Sequence, residues 1–186
     1  MKKRFMAVSF LGAMILGLAG YLTAPLQAAA NFPDYLIPAK LNTMFFEKKV
    51  TIVLNTKAPV PATIAANSGW MVGFDTDSNK NTGGKWPQIG ADYILSVINR
   101  DGKWAVSIKN VKTGATRNID GEVMVDKNNV DFSVPLSELE NKTVFDWQIA
   151  VVSGDDRKAL PERFRADAKS QKGGNYDDYM KDTMKM

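Results

Sequence analysis

Three oxygen-bearing side chains alternate along one short stretch, Asp75, Asp77 and Asn79, and a further acid, Asp92, opens the next strand-like run. Side chains at alternate positions of a loop can curl around one hard cation. Calcium takes roughly six to eight oxygens at about 2.3–2.6 Å from carboxylates, amides and main-chain carbonyls. These four residues are therefore a candidate calcium site. An EF-hand is excluded, because that loop needs Gly at its sixth position and an acid at its twelfth, where this chain has Lys80 and Trp86. The plainer alternative is a turn in which Asp and Asn bond to their own main chain. Trp86, between the acidic motif and Asp92, is the candidate ligand-binding residue. A flat apolar ring on a loop suits sugar C–H groups, and its alternative is to fold back over the loop or the core edge.

The residue types that are missing narrow the chemistry further. The 186 residues include no His and no Cys. Thiol nucleophiles, imidazole bases, His-ligated zinc and His-ligated haem are thereby excluded. Acid pairs such as Asp155-Asp156 and Asp177-Asp178 are adjacent in sequence, which does not place two carboxyls on opposite sides of a substrate. No catalytic residue is assigned, and the chain is read as not an enzyme. Met180, Met184 and Met186 are read as part of a charged tail rather than as copper ligands.

The elements that must position the loop begin after an export signal. Lys2, Lys3 and Arg4 precede an uncharged apolar run from Phe5 to Leu22, then Pro25 and Ala28-Ala29-Ala30. That is the three-part pattern of a signal peptide, with cleavage expected after Ala30 and no membrane span afterwards. The whole chain carries 24 Lys+Arg against 20 Asp+Glu; without the three basic residues of the leader the balance is 21 against 20. Nothing remaining concentrates positive charge as a nucleic-acid footprint would. The exported product belongs outside the cell, in the periplasm or in the cell envelope.

Residues 31–154 are expected to form one antiparallel β-sandwich, all-β and jelly-roll-like. Short β-rich runs recur at Val50–Leu54, Trp70–Phe74, Tyr93–Ile98, Trp104–Ile108, Val123–Val125, Val130–Val134 and Val144–Val152. Asp101-Gly102 between two of them is a hairpin signal. Trp104, Val106 and Ile108 share one face, as do Phe145, Trp147, Ile149 and Val151. Pro135 to Glu140 is expected to add one helical turn. Asn31 to Lys49 reads as mixed, with Pro33 and Pro38 opposing a long element. Residues 155–186 read as a charged C-terminal tail, partly helical from Pro161 or disordered.

The run Gly73-Phe74-Asp75-Thr76-Asp77-Ser78-Asn79 with Thr82-Gly83, then Gly90-Ala91-Asp92-Tyr93, resembles bacterial exported domains of the carbohydrate-binding-module family 9-like type, related in fold to DOMON domains. Phe132-Ser133-Val134-Pro135-Leu136-Ser137-Glu138-Leu139 resembles the strand, then Pro-Leu-Ser, step of the same domains. The likeness spans residues 50–153. It implies a jelly-roll-like sandwich with bound calcium, used for recognition rather than catalysis. Its Asp-Trp pair on an N-terminal strand is not evident here, nor is a pair of sugar-clamping aromatics. The function expected is an exported recognition domain for a polysaccharide, with a calcium-stabilised loop. The competing expectation is an envelope structural or protein-interaction subunit that docks through a sheet edge or the tail.

Overall fold

A computed structural model of the chain describes residues 32–170. The expected export signal at 1–30 and the end of the tail lie outside the described residues. A 3-10 turn at Asp34–Leu36 leads into β1 (Pro38–Phe46), β2 (Lys49–Thr56) and β3 (Ser68–Asp75). A small hairpin follows, β4 (Gly84–Lys85) and β5 (Gly90–Ala91), then β6 (Tyr93–Arg100), β7 (Lys103–Asn110) and β8 (Thr116–Asn118). Next come β9 (Val123–Asp126) and β10 (Asn129–Pro135). A 3-10 turn at Leu136–Leu139 precedes β11 (Val144–Ser153), β12 (Asp156–Ala159) and β13 (Phe164–Asp167).

All the pairings are antiparallel. One sheet runs β1-β2-β10-β9, and the larger runs β12-β11-β3-β6-β7-β8, with β13 also on β11. The two form a sandwich because alternate residues of each present an apolar face. From the smaller sheet come Val50, Ile52 and Leu54, in register with Val134, Phe132 and Val130. From the larger come Trp70, Val72 and Phe74, in register with Val97, Leu95 and Tyr93. All twelve are buried. Rings meet across the layers, Trp70 with Phe132 at 6.4 Å and Phe45 with Phe145 at 5.8 Å between centroids. Each fully buried side chain of this size contributes about 1.5–3 kcal/mol.

The seven β-rich runs all lie within strands. Asp101 and Gly102 turn between β6 and β7 with φ of 52° and 80°. Positive φ at both positions is the turn form whose twist matches the flanking strands. The helical turn expected after Pro135 is the 3-10 turn at Leu136–Leu139.

Two segments differ from expectation. The stretch read as mixed contains β1, a nine-residue strand. Pro38 is its first residue and β1 lies at a sheet edge, so the missing N–H interrupts little of the ladder. The helix expected from Pro161 is not formed among the described residues. Instead β12 and β13 pair with β11 along the edge that β3 leaves free, on either side of Pro161. Phe164 stacks on Trp147 at 4.6 Å and Ala166 is buried in the core. The charges of this segment lie at a sheet edge, where solvent reaches them, and so its polar composition concealed a strand.

Candidate metal loop and adjoining groove

Phe74 faces the core and Asp75 therefore points to the outer face of the larger sheet, yet it is only 2% exposed. The β4–β5 hairpin covers it by folding over that face. Gly73 permits the approach, since a Cβ there would lie 3.0 Å from ring atoms of Trp86 and 3.2 Å from the Ala91 Cβ. Beside it on β11, Gln148 accepts from the Gln88 N–H at 3.2 Å and donates to the Leu160 carbonyl at 2.6 Å. Trp86 is thus half-buried in the fold-back position over Gly73.

Asp75, Asp77 and Asp92 each bring a carboxylate oxygen to within 4.8 Å of the others. Two oxygens on opposite sides of a calcium at ~2.4 Å stand ~4.8 Å apart, so the three fit around one such ion. The loop supplies donors of its own. The Asn79 N–H lies 3.0 Å from Asp75 Oδ1 and 2.9 Å from Asp77 Oδ1. The Gly90 N–H donates to Asp75 Oδ2 at 3.2 Å, and Thr76 donates its N–H and hydroxyl to Asp92 Oδ2 at 2.8 Å each. Thr82 Oγ1 lies 3.0 Å from Asp77 Oδ2. The fourth expected ligand, Asn79, serves the main chain: its Oδ1 accepts from the Asn81 N–H at 3.1 Å.

Burial pushes the Asp75 carboxyl above its ordinary range, and the neighbouring Asp77 adds to that, against hydrogen bonds from Gly90 and Asn79. Asp77 moves the other way. Burial raises it, but hydrogen bonds from Asn79, Thr82 and Asp75 outweigh that and lower it. The two carboxyls titrate as a pair, and either a proton on Asp75 or a cation between them relieves their repulsion.

Two residues of this region escaped sequence reasoning. Asp146 on β11 stands in register with Asp75 and is 1% exposed. Arg165 of β13 pairs with it at 3.3 Å and lies 3.4 Å from Ser78 Oγ in the acidic loop. The alternation of β11 marks Asp146 as opposite the core, but only strand pairing places it beside Asp75. No signal in its charged surroundings singles out Arg165.

A groove adjoins the triad. Its larger chamber, about 550 Å³, lies between Asp77 and Asp92 on one side and Glu140 and Lys142 on the other. A smaller one, about 280 Å³, extends toward Arg117 and Glu138, which form an ion pair. Tyr93 and Asn110 line both. Tyr93 Oη donates to Glu140 Oε1 at 2.6 Å, and Asn110 Nδ2 donates to Tyr93 Oη at 3.4 Å. Burial, reinforced by Glu140, pushes the Tyr93 hydroxyl up to about 12, so it stays protonated at neutral pH.

Compared with known proteins, the chain matches no family model, no curated protein and no solved structure.

Proposed function

We propose that this chain is an exported, non-catalytic recognition domain for a glycan, with loop 75–92 cross-linked by calcium. The observation that carries the reading is the convergence of the Asp75, Asp77 and Asp92 oxygens within 4.8 Å at the ends of two strands. Three carboxylates so placed repel one another, and a divalent cation converts that repulsion into a link between β3 and the start of β6. The resemblance of the loop to exported carbohydrate-binding domains supports the same reading. So does a composition without Cys, in which a metal supplies a cross-link that disulfides cannot.

A ligand that binds only the folded state stabilises it by mass action, about 2.7 kcal/mol at a hundredfold excess over Kd. At about 2–4 °C per kcal/mol, calcium should raise the midpoint of a calorimetric melt by about 5–10 °C over a chelator-treated sample. Asp75→Asn should abolish most of that difference. Equal midpoints with calcium and with chelator would remove calcium from the reading.

A further inference from the structure

The groove beside the triad is a better ligand surface than the loop tryptophan. Its larger chamber, about 550 Å³, falls within the range of small-molecule clefts, roughly 300–1,000 Å³. Val111 is the only aliphatic side chain lining that chamber among the described residues, so the rest of its apolar surface comes from Tyr93, Gly83 and the carbon atoms of polar side chains. The lining also carries both donors and acceptors, in the Asn110 amide, the Glu140 carboxylate that Tyr93 holds and the two lysines.

Charge decides between ligand classes. Asp77, Asp92 and Glu140 share the chamber with Lys112 and Lys142. A strongly anionic ligand would meet carboxylates and a strongly cationic one would meet ammonium groups, whereas neutral hydroxyls pair with both.

The groove is also held in shape before any ligand arrives. Glu140 and Asn141 have φ of 55° and 57°, a left-handed conformation that few residues other than glycine adopt. The Asn141 N–H donates to the Leu136 carbonyl at 2.7 Å and the Lys142 N–H to the Leu139 carbonyl at 2.9 Å, which fixes this turn. The buried Tyr93 then holds the otherwise exposed Glu140 carboxylate by its hydroxyl. Ordering these side chains in advance lowers the entropy lost on binding.

We propose that the groove floored by Tyr93 and Asn110 and walled by Glu140 and Lys142 binds a neutral glycan chain, and that Trp86 is not part of that surface. The proposal rests on the recognition reading above and adds the place and class of ligand. The test is titration of 15N-labelled protein, with calcium present, against neutral oligosaccharides of cellulose, xylan, starch, mannan and chitin type. Charged oligogalacturonate and an unrelated peptide library serve as comparison ligands. At least one neutral oligosaccharide should move the amide signals of Tyr93, Asn110 to Lys112 and Glu140 to Lys142. Glu140→Gln and Asn110→Ala should each weaken that binding about tenfold while keeping a dispersed amide spectrum, and Trp86→Phe should leave it unchanged. Absence of binding to any glycan would overturn the recognition reading and this proposal together. Glycan binding with shifts confined to Trp86 and Gly73 would leave the recognition reading standing and overturn the groove. Groove shifts with oligogalacturonate or peptide alone would overturn the neutral glycan as its ligand.

Discussion

Replacing Asp131 by Asn should stabilise this protein at neutral pH and do nothing for it in mild acid. Asp131 lies on the outer face of the smaller sheet, in register with Val53 of β2 and Met124 of β9. It is 8% exposed, and among the described residues its Oδ1 has no hydrogen-bond partner. The polar groups on either side satisfy each other instead, Thr51 with Ser133 and Asn55 with Asn129, each at 2.8 Å. Burial alone pushes the carboxyl up from 3.8 to about 6. The folded state therefore holds a proton that the unfolded chain has released, and stability falls as pH rises from about 4 to about 6. A displacement of about two units corresponds at ~1.4 kcal/mol each to ~3 kcal/mol. Water reaching the outer face reduces this to about 1–2 kcal/mol. Asp131→Asn should gain that amount above about pH 6.5, an increase of about 2–8 °C in Tm, and the gain should vanish near pH 4. Denaturant melts of both proteins at a series of pH values measure it. A difference that is constant with pH, or one that grows toward acid, would refute the reasoning.

Two further perturbations test the loop and the strands that follow β11. Gly90→Ala places a Cβ 2.1 Å from the Thr82 carbonyl oxygen and 2.7 Å from that of Asn79. It should cost about 2–4 kcal/mol and remove the response to calcium, and an unchanged melt with calcium retained would contradict it. Truncation after Ser153 removes Phe164 from Trp147 and Arg165 from Asp146, leaving a buried acid without its counter-ion. The loss should exceed about 4 kcal/mol, seen as an insoluble product or a broad, early transition in circular dichroism. A soluble truncate melting like the full chain would show that β12 and β13 are dispensable.

The core of the sandwich was legible in the sequence because its strands alternate. Trp104, Val106 and Ile108, or Phe145 to Val151, announce a face by period alone. β12 and β13 read as a tail because each is only four residues long; β12 shows no apolar alternation, and in β13 only Phe164 and Ala166 mark the inner face. The acidic loop was legible in its residue types, and the carboxylates of Asp75, Asp77 and Asp92 converge. The Asn79 amide closes a turn onto Asn81, a contact set by loop geometry rather than by residue type. The placement of Trp86 did leave a trace. Gly73 stands between Val72 and Phe74 in β3, and a glycine inside a strand signals that something approaches closely.

The broken strand beside β11 has a consequence for how this protein behaves in company. A long open edge would invite a second copy to add its own strand and a third to follow. Here one margin of the larger sheet is split at Pro161 between β12 and β13, and the other is β8, three exposed residues long. Among the described residues, neither margin offers a neighbour a continuous ladder to read. The larger sheet is thereby a poor template for a second copy along either of those margins, which leaves the nine-residue β1 as the longest edge strand of the sandwich among the described residues.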